Sequence, residues 1–173
     1  IKSYTGPDYI LLREAFLAPI IPVDRSNLIS IILGITGNSK LIEELSKMIE
    51  KLGFEVIVAN GFSSENMVKL IDRSEYIICG ASVALHEVWS RGRIAIPVYQ
   101  VQDQELFAKF LGAKKIPFVK SINKNEETVC GEIEKILIGL NPFKSNVMNM
   151  NRNGADLVIK SLIEQRSVNA DLA

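Results

Sequence analysis

Asn27-Leu28-Ile29-Ser30-Ile31-Ile32-Leu33, followed by Gly34-Ile35-Thr36-Gly37-Asn38, is the stretch that decides the fold. A near-continuous apolar run this short is what a strand needs when helices cover both of its faces, as in a parallel sheet. Glycines then break the run. Beyond them Leu41, Ile42, Leu45, Met48, Ile49 and Leu52 recur at helical spacing, and Gly53 stands where a C-cap glycine belongs. The unit is strand, glycine turn, helix.

Towards the C-terminus the unit repeats. Residues 54–59 read as a second strand, Asn60-Gly61 as a turn, and Ser63 or Ser64 as the cap of a helix carrying Met67, Leu70 and Ile71. A third strand at 76–79 breaks at Gly80 and leads into a short helix over 83–91, closed by Gly92. The fourth strand is 94–99, with Pro97 near its end, and a helix over 104–111 is closed by Gly112. Residues 116–119 form a short fifth strand, which Pro117 marks as an edge. Helices follow at 126–137 and 155–165, with an Asn-rich loop over 141–153 between them. Strand–helix alternation with right-handed crossovers gives an α/β fold: a Rossmann-like parallel sheet with helices on both faces.

Towards the N-terminus the pattern changes. Gly6-Pro7 opens a small helix over 9–16, and Pro19 and Pro22 mark an extended linker. The chain starts at Ile1 rather than Met, and this arm is expected to lead in from an upstream domain. Residues 1–26 therefore read as an interdomain segment and linker, 27–166 as the α/β domain, and 167–173 as a frayed tail.

Composition sets the outer bounds. The 173 residues are 47% hydrophobic and 23% charged, which excludes a fully disordered chain. Twenty basic and twenty acidic residues cancel, so nothing draws the whole molecule to nucleic acid or an acidic membrane. No run of 18 apolar residues predicts a membrane span, and the first residues lack the pattern of a signal peptide. Cys79 and Cys130 form no disulfide framework, which points to a reducing, cytoplasmic setting. The single histidine, His86, excludes a multi-His zinc site, and neither a metal nor a cofactor is expected.

In open parallel sheets ligands sit outside the carboxyl ends of the strands, where the strand order reverses. Two loops here have the needed chemistry: Gly34-Ile35-Thr36-Gly37-Asn38 after the first strand and Gly80-Ala81-Ser82 after the third. If those strands are neighbours, both loops flank one crevice. Each leads into a helix N-terminus, whose unpaired amides and dipole favour an anion, and two such ends suit a diphosphate. Each signal has a plainer alternative. Gly34 and Gly37 also serve a tight turn, and Ser82 also serves as an ordinary N-cap. Glu87, one turn into the short helix, is either a surface carboxylate or the acceptor of a ribose diol. His86, the candidate catalytic group by its near-neutral pKa, is otherwise a partly buried helix residue. Trp89 reads as core packing and Cys79 as buried and inert.

At this point the residues resemble a family. Cys79-Gly80-Ala81-Ser82-Val83-Ala84-Leu85-His86-Glu87, then Gly92-Arg93-Ile94-Ala95-Ile96-Pro97-Val98, then Gln102-Asp103-Gln104, looks like the nucleotide-sugar signature of GT-B C-terminal domains. Within that group the chain is most similar to the UDP-sugar hydrolase of pseudaminic acid synthesis and its spore-coat polysaccharide relatives. Gly6-Pro7-Asp8-Tyr9-Ile10-Leu11-Leu12-Arg13-Glu14-Ala15-Phe16 resembles the segment joining that family's halves. Glu65-Asn66-Met67-Val68-Lys69-Leu70-Ile71 resembles its "N-M" helix start, and Asn153-Gly154-Ala155-Asp156-Leu157-Val158 its closing motif.

The resemblance implies a UDP-sugar as partner, hydrolysed by water at the anomeric carbon to UDP and a free amino sugar. Glu87 would bind the ribose hydroxyls, and the amides of Ser82 and Val83, after Gly80, the diphosphate. Gly34, Thr36 and Gly37 would line the glycine-rich loop, Gly61 and Phe62 the uracil wall, and Gln102 and Gln104 would face the sugar. The chain departs from the family in several places. Ile94 or Ala95 replaces a proline, and His86 replaces an asparagine near the sugar. The usual extra strand before the "N-M" helix is absent, so the sheet is expected to be reduced by about one strand. The family's catalytic histidine lies in an N-terminal half. The same binding half also fits a GT-B glycosyltransferase with a sugar acceptor, or a degenerate non-catalytic domain used for assembly.

Overall fold

The computed structural model describes residues 12–20, 27–34, 38–114 and 116–139. Five strands are described: β1 (Leu28–Ile32), β2 (Glu55–Val58), β3 (Tyr76–Gly80), β4 (Ile94–Tyr99) and β5 (Val119–Lys120). The helices are α1 (Ser39–Lys51), α2 (Ser64–Arg73), α3 (Val83–Ser90), α4 (Glu105–Ala113) and α5 (Glu126–Gly139), with 3-10 turns at Glu14–Leu17 and Gln102–Gln104.

The sheet order is β2-β1-β3-β4-β5, and every pairing is parallel. This is a doubly wound sheet whose direction reverses between β1 and β3. It is also what a 3-2-1-4-5-6 sheet becomes when its outer third strand is removed and the rest renumbered. The switch point lies inside the sheet, away from both edge strands.

Alternation along the strands divides the core. Ile29, Ile31, Ile78, Ile96 and Val98 face α1 and α5 through Leu41, Leu45, Ile49, Val129 and Ile133. Ile32, Ile77 and Cys79 face α2, α3 and α4 through Ile71, Leu85, Val88, Trp89 and Leu111. Both β1 and β3 are buried along their whole length, as their near-continuous apolar sequence requires. A hydroxyl pair, Ser30 and Ser74, interrupts the apolar packing. Ser74 Oγ donates to the Leu70 carbonyl at 2.7 Å, so Ser30 Oγ donates to Ser74 Oγ at 2.6 Å. Both hydroxyls are thereby satisfied without water.

Pro97 sits inside β4, opposite Cys79. The Val98 carbonyl points towards β3, where it accepts from the Ala81 amide, so the neighbouring Pro97 faces the β5 side. There β5 pairs only with Val98 and Tyr99, and the missing proline N–H falls before that strand begins. β5 lies at the edge, as Pro117 predicts, but starts at Val119.

Several expectations change. Gly112 does not close its helix, since α4 runs through it to Ala113. Gly53 and Gly92 do take left-handed conformations, at φ 85° and 63°. The helix expected over 9–16 is a single 3-10 turn at Glu14–Leu17 within the described residues. The loop at 141–153, the helix at 155–165 and the tail at 167–173 lie outside the described residues.

The arm over 12–20 packs as part of the α2/α3 layer rather than as a free linker. Phe16 is fully buried there, among the side chains that cover that face. Arg91 holds the arm from beneath, donating to the Ala18 carbonyl at 2.7 Å and the Pro19 carbonyl at 3.3 Å.

Candidate functional site

Because β1 and β3 are adjacent, with Ile32 opposite Cys79, the loops that follow them open on the same carboxyl edge. α1 and α3 leave this edge on opposite faces of the sheet and so flank the crevice of the switch point. The two helix ends differ in how they are satisfied.

The α3 end is open. Ser82 and Val83 are exposed, and the Ser82 side chain makes no capping bond. The Ser82 amide, expected to hold phosphate, donates instead to the Gly80 carbonyl at 2.8 Å in the tight turn. The anion-binding capacity of this end therefore rests on the first amides of the helix, those of Val83 and Ala84, which have no intrahelical acceptor.

The α1 end is covered. Asn38 caps it by accepting from the Lys40 amide at 3.0 Å and donates through Nδ2 to Glu126 Oε1 at 2.9 Å. Glu126 also pairs with the Lys40 ammonium at 3.4 Å. Its own backbone amide, Asn38 and Lys40 hold the Glu126 carboxyl below the usual carboxylate range. The Glu126 carboxylate thus ties the side chains of the α1 cap to the start of α5. Of the β1 loop, Gly34 is described with φ 69°, while Thr36 and Gly37 lie outside the described residues.

The floor of the crevice is Gly80. A methyl group added there would meet Gln100 Oε1 at 3.1 Å and Ser82 Oγ at 3.5 Å, with Gln104 Nε2 at 4.0 Å. Gln104 Oε1 accepts from the Gln100 amide at 2.7 Å, which brings this glutamine to the crevice. Gln102 is exposed and bonded to Glu105 at 3.0 Å, away from that cluster. Gly61, at φ 67°, and the exposed Phe62 lie in the turn between edge strand β2 and α2.

Glu87 does not stand free. Arg13 of the arm binds it with two bonds, Nε to Oε1 at 2.6 Å and Nη2 to Oε2 at 2.9 Å. Arg13 Nη1 donates to Ser64 Oγ at 3.0 Å, and its guanidinium lies 5.0 Å from the Phe16 ring centre. The Glu87 side chain is left 6% exposed and that of Arg13 46%. The hydrogen bond to Glu87 raises the Arg13 pKa. In the sequence Arg13 is one residue of the "L-L-R" run, and nothing local marks its partner 74 positions away.

His86 packs edge-on against Trp89 and Phe107, with ring centres 5.8 and 4.8 Å apart, and Phe107 stacks on Phe110. Its Nδ1 is buried without a hydrogen-bond partner. Burial lowers its pKa from 6.5 to about 4, so the imidazole is neutral at physiological pH and a weak proton acceptor. The ring is thus packed in an aromatic cluster with Trp89 and Phe107. Burial pushes the Cys79 thiol well above its ordinary value, which leaves it unreactive as a nucleophile.

Among the described residues, concavities lie on two sides of the start of α1. A groove of about 750 Å³ runs between α1 and α5, lined by Lys40, Lys47, Glu44, Glu127 and Glu134, and its alternating charges read as two solvated helix faces. A smaller cavity of about 200 Å³ lies at the carboxyl edge among Asn38, Gln100, Ser121, Lys124 and Glu126. The smaller one adjoins the switch point through Asn38 and Gln100. Among the described residues no three His, Cys, Asp or Glu side chains group as metal ligands, and no helix is long and apolar enough to cross a membrane.

No protein-family model and no curated protein matches the chain. Among solved structures, the glycosyltransferase of kitacinnamycin is similar at a TM-score of 0.51 and 14% identity, over 87% of this chain and 47% of that one. The TIR domain heterodimer of RPS4 and RRS1 is similar at a TM-score of 0.48 and 14% identity, over 65% of this chain and 95% of that one. The first likeness is one of fold: a Rossmann-like α/β sheet of the kind that a glycosyltransferase contains. The chain spans 47% of that glycosyltransferase's length.

Proposed function

We propose that the chain is the nucleotide-sugar-binding half of a UDP-sugar hydrolase, which releases UDP and a free amino sugar and takes its catalytic groups from an upstream half. The observation that carries this reading is the adjacency of β1 and β3 with an open α3 N-terminus beside it. A doubly wound sheet binds its ligand at that point, and a helix start is suited to a diphosphate. In this reading the Val83 and Ala84 amides hold the diphosphate. Gly80 lets it approach the sheet, and Glu87 takes the ribose. Gly61 and Phe62 border the base, and Gln104 faces the sugar, while Gln102 is held on Glu105. Gly34, just beyond β1, borders the other rim. His86 packs behind α3 against Trp89 and Phe107.

A GT-B transferase would use the same half and replace water with a sugar acceptor. A non-catalytic role is favoured by one observation: Glu87, the expected ribose acceptor, is already bound on both oxygens by Arg13. Titration with UDP separates binding from its absence. A specific ligand at a hundredfold excess over its Kd stabilises a fold by about 2.7 kcal/mol. No change in thermal midpoint at millimolar UDP overturns the nucleotide reading in favour of the non-catalytic one. For the two-domain protein given a UDP-sugar alone, UDP release supports the hydrolase. Release only with an added acceptor supports the transferase.

A further inference from the structure

We propose that Arg13 is a latch on the Glu87 carboxylate, and that a nucleotide's ribose diol enters by displacing the Arg13 guanidinium. The inference rests on the nucleotide reading above and concerns how that site is controlled. A carboxylate offers about four lone-pair positions, and a diol needs one on each oxygen. Arg13 already takes one on each, and the Glu87 side chain has 6% of its surface left, so diol and guanidinium compete for the same carboxylate.

The geometry makes the exchange a local one. Arg13 is 46% exposed, so releasing it returns a cation to water rather than stranding it in the core. The arm stays anchored without it, because Phe16 is fully buried and Arg91 holds the Ala18 and Pro19 carbonyls. Ser64 Oγ steadies the latched position from the start of α2. Glu87 would otherwise be a buried carboxylate with no ligand, which is costly, so Arg13 acts as its partner in the empty site.

The test is calorimetry on the chain, Arg13→Ala and Ser64→Ala, each titrated with UDP and with inorganic diphosphate. Removing a competitor lowers the UDP Kd by roughly three- to tenfold in Arg13→Ala, and by less in Ser64→Ala. Diphosphate affinity stays the same, or falls slightly in Arg13→Ala because a cation has been removed. Tighter UDP binding against that electrostatic trend is the signature of the latch. UDP binding to the wild type that is unchanged or weaker in both variants overturns the latch and leaves the nucleotide reading standing. No UDP binding to any of the three overturns both. If Arg13→Ala does not fold, hydrogen exchange of the wild type decides. The Arg13 Nε–H, held on Glu87 Oε1 at 2.6 Å, exchanges faster with water at saturating UDP if the latch opens. Unchanged exchange overturns the proposal.

Discussion

Arg91 and Asp72 form a bidentate ion pair in the interior, Nε to Oδ1 at 2.9 Å and Nη2 to Oδ2 at 2.6 Å, with the Arg91 side chain 1% exposed. The same guanidinium binds two carbonyls of the arm. Removing it strands a buried carboxylate and unpins the arm together. Arg91→Met is expected to destabilise the chain by about 3–5 kcal/mol in denaturant unfolding. Arg91→Met combined with Asp72→Leu recovers most of this, because no charge remains buried. A single-variant loss under about 1 kcal/mol sinks the assignment of Arg91 as the arm's anchor.

Val83 occupies the first position of α3, where proline is tolerated because its amide has no helical acceptor. Val83→Pro therefore tests the anion site without breaking the helix. Stability is expected to change by less than about 1 kcal/mol. Diphosphate and UDP affinities are expected to fall together, by roughly tenfold, through loss of one charge-assisted bond. Unchanged diphosphate affinity in a folded Val83→Pro chain removes the α3 end from consideration.

The pKa of His86 is about 4 in the folded chain against 6.5 when exposed. Between those values the unfolded state binds more protons, so stability rises with pH. The contribution is complete above about pH 6.5 and is lost as pH falls towards 4. Between pH 7 and pH 5 this group alone accounts for a loss of about 1–2 kcal/mol. His86→Phe keeps the aromatic packing and removes the titration. Its thermal midpoint should fall less than the wild type's over that interval. Parallel pH profiles for the two proteins would show that His86 does not titrate as its burial implies.

The elements were legible wherever period and punctuation agreed. The run from Leu28 to Leu33, its glycine break and the helical spacing from Leu41 lie close to β1 and α1 as they fold. Gly112 misled because a glycine in the last turn of a helix reads like one just beyond it, and only its backbone conformation separates the two. The partners of the site were not legible. Arg13 with Glu87 and Asn38 with Glu126 are joined across 74 and 88 positions. Such pairs follow from which helices the sheet order brings together, and local sequence carries no trace of them. The resemblance named Glu87 and the α3 start, but it could not show that the arm's guanidinium sits on the first.

Gly80 provides the sharpest test of where the crevice floor lies. Its backbone is outside the left-handed region, so an added side chain meets no conformational penalty of its own. The cost is steric, with Gln100 Oε1 3.1 Å from the added carbon. That contact is tighter than normal, but it involves the end of a flexible side chain, which gives way by a few tenths of an ångström. Gly80→Ala should therefore cost no more than about 1 kcal/mol of stability. The displaced Gln100 and the new methyl both intrude on the space beside Ser82 and Gln104, where the proposed diphosphate approaches the sheet. UDP affinity is expected to drop by roughly tenfold or more, and Gly80→Val to abolish binding. Calorimetry of the folded variants checks this. Full UDP affinity in Gly80→Ala would place the ligand away from β3.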